Sequence, residues 1–174
     1  IEFKDTSFTG NIASGLGGAI YNETGAKVFL SGTNTFTGNT ANGVANDIYN
    51  DGALTIASGM TSIDGGINGE GALDIQSDAT LNMNYASIEQ GTINIDGTLM
   101  ASLRDTNDTV DIAGTLSGTG NVLLSAGAIG TYDISAFKDF ATEENIDVKE
   151  SSGHQKRIDF YVCFMYNIRT NVVR

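Results

Sequence analysis

The sequence predicts an all-β chain, folded as a parallel β-helix of about six rungs with an atypical C-terminal strand segment. Three observations carry that expectation. The chain repeats itself, its apolar residues alternate with polar ones in short runs, and glycine closes those runs.

Phe8-Thr9-Gly10-Asn11 returns as Phe36-Thr37-Gly38-Asn39, 28 positions on. Behind each copy, Ala13 and Ala41, Gly15 and Gly43, then Ile20-Tyr21-Asn22 and Ile48-Tyr49-Asn50, recur at the same spacing. Gly52-Ala53-Leu54-Thr55-Ile56 echoes in Gly71-Ala72-Leu73-Asp74-Ile75 and in Gly91-Thr92-Ile93-Asn94-Ile95, now 19 to 20 residues apart. Val110–Leu116 and Gly120–Leu124 extend the series. A period of this length marks units that bury their apolar faces on one another.

Within the repeats the period is two. Leu73 and Ile75, Leu81 and Met83, and Ile93 and Ile95 alternate with polar neighbours, and Gly, Asn, Asp or Ser end each run. No stretch of the body sustains helical spacing over three turns. The expected inward ladders hold Ile20, Val28, Leu30, Ile48, Leu54, Ile56, Leu73, Ile75, Leu81, Ile93, Ile95 and Leu99. Asn11 over Asn39 and Asn22 over Asn50 are either amide ladders at the corners or ordinary exposed turn residues.

Charge and glycine divide the chain. Residues 1–142 carry four basic and 16 acidic side chains and 21 of the 22 glycines. Residues 143–174 carry five of each sign and only Gly153. The first part is read as the β-helix body. The second is read as a cap on the last rung, a linker into another domain, or a non-native tail. Its residues 158–168 alternate as one strand. The formal charge of −12 argues against nucleic acid and anionic membrane surfaces as partners. A single Cys excludes a disulfide framework and a multi-thiolate metal site. No apolar run approaches the roughly 20 residues of a membrane helix. The chain starts at Ile1 rather than Met and is read as an interior piece of a larger precursor.

Phe8-Thr9-Gly10-Asn11 followed by Gly17-Gly18-Ala19-Ile20 resembles the paired FxxN and GGAI motifs of chlamydial-type polymorphic membrane protein repeats. The second copy keeps Phe36 and Asn39 but has Ala45-Asn46-Asp47-Ile48 where GGAI would stand. The motifs span residues 8–50; from Asp51 to Leu124 the likeness is to autotransporter passengers in general. The resemblance implies a right-handed β-helix, export to the bacterial cell surface, and adhesion or host contact. Any translocating barrel would lie outside this fragment, since nothing here supplies its many strands.

Candidate chemistry is sparse. Glycoside hydrolysis needs two carboxylates across a bond, and a lyase needs a base beside a neutralising metal or cation. The body offers acids spread singly at corners, among them Asp47, Asp51, Asp64 and Asp96, and no His. Asp105, Asp108 and Asp111 are the densest acid group and the candidate Ca²⁺ ligands. Their loop lacks the Gly and the closing Glu of an EF-hand, so a polar turn is the alternative. Gly65–Gly71 is read as one tight corner. Asn22-Glu23-Thr24 and Asn107-Asp108-Thr109 are formal glycosylation sequons. Tyr21 and Tyr49 occupy matching rung positions and form either a binding surface or packing. His154 and Cys163 have no accompanying ligands or base.

The leading expectation is a non-catalytic adhesive or structural passenger at the outer-membrane surface or outside the cell. Its partner would be a protein or glycan on a host or neighbouring cell, and self-association is allowed. No cofactor is expected beyond the Ca²⁺ candidate. The alternatives are a polysaccharide lyase or glycoside hydrolase on the same scaffold, and a surface-layer or filament component.

Overall fold

A computed structural model describes residues 1–103, 109–126, 131–133 and 159–163. The first turn of the chain runs through β1 (Glu2–Lys4), β2 (Ser7–Thr9), β3 (Ile12–Ala13) and β4 (Ile20–Asn22). The second runs through β5 (Lys27–Ser31), β6 (Thr33–Thr37), β7 (Thr40–Ala41), β8 (Val44–Ala45) and β9 (Ile48–Asn50). Then come β10 (Ala53–Ile56), β11 (Gly59–Ile63), β12 (Ile67–Asn68), β13 (Ala72–Ile75) and β14 (Ala79–Asn84). β15 (Ile88–Ile95) crosses a corner without a break, and β16 (Thr98–Leu103), β17 (Thr109–Ser117), β18 (Asn121–Ala126) and β19 (Thr131–Asp133) follow. The described residues contain no helix.

These strands stack as a parallel β-solenoid with three faces. The first face joins β4, β9, β12, the start of β15, and β17. The second joins β1, β5, β10, β13 and the rest of β15. The third joins β2, β6, β11, β14, β16 and β18. On the third face, Asp159–Cys163 (β20) pairs antiparallel with Asn121–Ser125 of β18. The body-to-tail boundary near residue 142 and most of the 158–168 alternation lie outside the described residues.

The stack makes about five turns, fewer than the six expected. The difference has a simple source. The echoes at Val110–Leu116 and Gly120–Leu124 are successive faces of the coil, β17 on the first and second and β18 on the third. Sequence likeness cannot separate a new turn from a new face, because every face uses the same alternating code.

All 12 expected inward positions are buried. They form columns, since each register pairs like with like: Leu30 on Ile56 on Ile75 on Ile95, and Val28 on Leu54 on Leu73 on Ile93. Ile20, Ile48, Ile67, Ile88 and Ile112 line the first face. Burying one such side chain contributes about 1.5–3 kcal/mol. The third face starts aromatic: Phe8 stacks on Phe36 with ring centroids 4.5 Å apart, and Phe3 meets the edge of Phe8 at 5.1 Å. That column continues as Ile63, Met83 and Ala101.

Corners break the sheet ladder and leave backbone N–H groups to satisfy. Acidic side chains from the adjoining turn do so. Asp5 accepts from Thr33 N at 2.8 Å, Asp64 from Gly38 N at 3.1 Å, Asp51 from Glu70 N at 3.1 Å and Asp96 from Thr119 N at 3.1 Å. The dispersed acids are therefore fasteners between turns as well as solubilising charge.

Candidate functional site

The two repeat motifs meet in the first two turns. Phe8 and Asn11 lie over Phe36 and Asn39. Asn11 Nδ2 donates to Asn39 Oδ1 at 2.8 Å, and the same oxygen accepts Asn11 N at 3.0 Å. Asn39 Nδ2 donates in turn to Phe8 O at 3.0 Å and to Asp47 Oδ1 at 2.7 Å. Asn39 is fully buried, so the second asparagine wires four groups together.

Gly17, Gly18, Ala19 and Ile20 carry the chain back toward the first face. Gly18 N donates to Asn46 O at 2.9 Å, and Ala19 N and Ile20 N both donate to Asp47 O, at 3.0 and 3.1 Å. A Cβ on Gly18 would lie 2.5 Å from Asn46 O and 2.6 Å from Thr40 N. The glycine is required because two backbones meet there. Gly17 adopts φ +64, which an L side chain rarely takes.

Asp47, which sequence reading placed among the solvated corner acids, is fully buried. Its Oδ2 accepts Gly65 N at 2.7 Å and Asp64 N at 3.1 Å. Burial raises its pKa above the ordinary carboxylate value, and the bonds from Asn39, Gly65 and Asp64 offset part of that. Asn11, Asn39 and Asp47 thus form a relay that ends on the third turn. There Gly65-Gly66-Ile67 takes the register of Gly18-Ala19-Ile20, since Ile20, Ile48 and Ile67 pair in sequence. The stretch read as one tight corner is a third, shortened form of the GGAI turn.

The second amide ladder is buried. Asn22 Nδ2 donates to Asn50 Oδ1 at 2.6 Å, and Asn50 Nδ2 donates to Gln90 Oε1 at 2.6 Å. Gly69 stands between Asn50 and Gln90 in the column and offers no side chain. The longer glutamine bridges the gap. Asn22 is only 2% exposed, which removes its sequon from use as a surface acceptor.

Tyr21 and Tyr49 pair on the outside of the first face. Their ring centroids are 5.9 Å apart at an interplanar angle of 42°, and Tyr21 is half exposed. The Asp51 charge, then desolvation, then Glu70, Tyr21 and Glu89, raise the Tyr49 phenol pKa above its ordinary value. A shallow groove of about 350 Å³ crosses the following corner, lined by Asp51, Glu70 and Lys27 among small residues such as Gly52 and Gly71; neither tyrosine lines it. A side hairpin, β7 and β8 against β3, turns at Asn42-Gly43 and exposes Ile12 and Val44.

Asp111 is exposed, and its backbone N donates to Ser87 Oγ at 2.9 Å; Asp105 and Asp108 lie outside the described residues. Among the described residues no three His, Cys, Asp or Glu side chains converge to hold a metal. No described helix is long and apolar enough to cross a membrane.

Residues 5–23 match the Chlamydia polymorphic membrane protein repeat. The match covers Phe8, Asn11 and the whole Gly17–Ile20 turn, the residues whose contacts between turns are described above. That repeat belongs to a family of surface-associated, non-enzymatic proteins. No curated protein and no solved structure matches the chain.

Proposed function

We propose that this chain is a stretch of a surface-displayed, autotransporter-like passenger whose β-solenoid is a non-catalytic rod for adhesion or structural display. One observation supports the reading above the rest: the residues of the matched repeat are those that join one turn to the next. Repeat identity is thereby spent on building a rod, leaving the outward positions free to vary with the ligand. Asp51 and Glu70 line one shallow groove with Lys27, and the Asp51 carboxylate accepts Glu70 N at 3.1 Å, so it serves there as a fastener between turns.

Two measurements test the proposal. Protease added to intact cells producing the protein should remove its signal while a periplasmic marker survives. Protection until lysis would sink surface display. Incubation of the purified chain with pectate, with and without Ca²⁺, should yield no unsaturated product and no new reducing ends; either product would establish an enzyme.

A further inference from the structure

Two turns of the rod are longer than the core requires, and the excess lies at one corner. Phe8 and Ile20 are 12 residues apart, as are Phe36 and Ile48, yet Ile63 and Ile67 in the same two columns are only four apart. The extra residues of the two long turns build the small sheet β3-β7-β8. That sheet is held in place. Asn42 and Gly43 take φ +52 and +76, the geometry of a tight two-residue hairpin turn. Thr40 N donates to Asn11 O and Asn42 N to Ala13 O, both at 2.9 Å, and Asn42 Nδ2 donates to Gly15 O at 3.0 Å. Among the described residues no strand pairs with the other edge of β8. Asn46 N donates to Asn39 O at 3.1 Å, so the next pair, Thr40 and Ala45, is the wide one that exchanges no bonds. Ala45, exposed, therefore turns its N–H and C=O away from β7. Neither Lys nor Pro guards this edge, the protections that free edges commonly carry.

The same corner differs from the rest of the chain in charge. Residues 6–22 and 28–46 carry no charged side chain. Asp47 behind them is fully buried, and Asp64 at the base accepts Gly38 N. Apolar groups stand in water instead: Ile12 is 84% exposed, Val44 67% and Leu16 49%. We infer that the free edge of β8 pairs with β8 of a second copy of this chain, antiparallel across a twofold axis, joining two three-stranded sheets into one of six. Charge argues for that occupant. Two chains of formal charge −12 repel each other over most of their surfaces, and at this corner they meet without bringing exposed acids together. The edge also suits self-pairing. Ala45 lies opposite the partner's Ala45, and each N–H donates to the other's C=O. The rows Ile12-Thr40-Ala45 of both copies then fall on one side of the joined sheet. The dimer goes beyond the display reading and forms wherever the chain is concentrated.

The test is sedimentation equilibrium of the purified full chain over about a hundredfold range of concentration. The mass should rise from one chain to two and stop there. Added salt should strengthen the dimer, because it screens the repulsion between the two acidic bodies. Val44→Lys should abolish dimerisation by placing a charge on the edge of each copy. Ala45→Pro should also abolish it, since it removes the outward N–H and no bond to β7. Unchanged circular dichroism and melting temperature would show that both variants keep the fold. Met60→Lys makes the same charge change at an exposed apolar residue on the third face and should leave the dimer intact. With Cys163 changed to Ser, Ala45→Cys should give a covalent dimer under mild oxidation, and Thr24→Cys, exposed at another corner, should not. A wild-type chain that stays monomeric throughout overturns the inference. So does equal loss from Met60→Lys and Val44→Lys, and so does mass that keeps growing past two, which would mark stacking at the ends of the rod. None of these outcomes bears on the protease result with intact cells, so the two proposals fail separately.

Discussion

Gly18 and Gly15 are three residues apart and do different work. A methyl on Gly18 meets backbone atoms of the second turn at 2.5 and 2.6 Å, and neither can move without breaking a ladder. A methyl on Gly15 meets nothing within 4 Å. Gly18→Ala should therefore lower stability by about 1–3 kcal/mol, and Gly15→Ala should stay within about 0.5 kcal/mol, as read by urea midpoints. Thr61 gives the opposite sign. Its hydroxyl is buried without a hydrogen-bond partner, in a column running from Asn34 through Thr61 to Leu81. Thr61→Val should raise stability by about 1 kcal/mol. Two acids bend the pH profile in opposite directions. Hydrogen bonds from Asn94, then from Thr119, hold the Asp96 carboxyl below its ordinary value. Its contribution is present above the ordinary carboxylate pKa and is lost as pH falls through the lowered one. Asp47 is shifted upward, chiefly by burial. The folded state then holds its proton longer than the unfolded state, so its share of stability grows as pH falls from neutral toward the ordinary value. Difference curves of melting temperature against pH should show Asp96→Asn removing part of the acid loss and Asp47→Asn removing part of that gain. Identical curves for wild type and both variants would contradict the assignments. Asp47 also shows where sequence reading stops. As a lone acid between Asn46 and Ile48 it looks like any corner residue, and its burial comes from Asn39 and Gly65, eight and 18 positions away.

At the scale of elements, the amide ladder is the sharpest object. Asn50→Ala would strip the acceptor from Asn22 and the donor from Gln90, both buried. At about 1–3 kcal/mol for each orphaned group, the loss should exceed that of removing Asn22 alone. A double-mutant cycle between Asn22 and Asn50 should show coupling, and strict additivity would deny the ladder. Asn22 and Asn50 were legible in the sequence because the first two turns share one 28-residue spacing. Gln90 was not, for two reasons. The offset along the first face changes from 28 to 19 and then 21 residues, as Ile20, Ile48, Ile67 and Ile88 show. The intervening position is Gly69, which has no side chain to signal a column. The apolar columns escaped that difficulty because alternation is readable within a single strand, whatever the loop lengths. The shortened GGAI turn at Gly65 was hidden by the same change of period. Tyr21 and Tyr49 were legible as a pair, but their acidic surroundings come from three separate turns.

At the scale of the molecule, the described residues form a column of unlike loops around one repeated core. Sequence showed the core and the stacking; it miscounted turns because a face and a turn share the same pattern. The concentration of acid in the body has a collective consequence. Screening should relieve repulsion between turns, so the melting temperature should rise as salt goes from about 0.01 M to about 0.15 M, where the Debye length shrinks from about 30 to about 8 Å. A fall over that range would mean that the acids act mainly through local ion pairs. The central claim is that each repeat is one turn stacked in parallel on the next. Paired cysteines test it most directly. Thr35 and Ser62 are register partners on β6 and β11, whereas Met60 pairs with Thr33, two residues out of line with Thr35. With Cys163 changed to Ser, Thr35→Cys with Ser62→Cys should close a disulfide under mild oxidation, since adjacent strands bring partners about 4.8 Å apart. Thr35→Cys with Met60→Cys should stay reduced. Closure of the second pair in place of the first, or of neither, would contradict the stacked-repeat account.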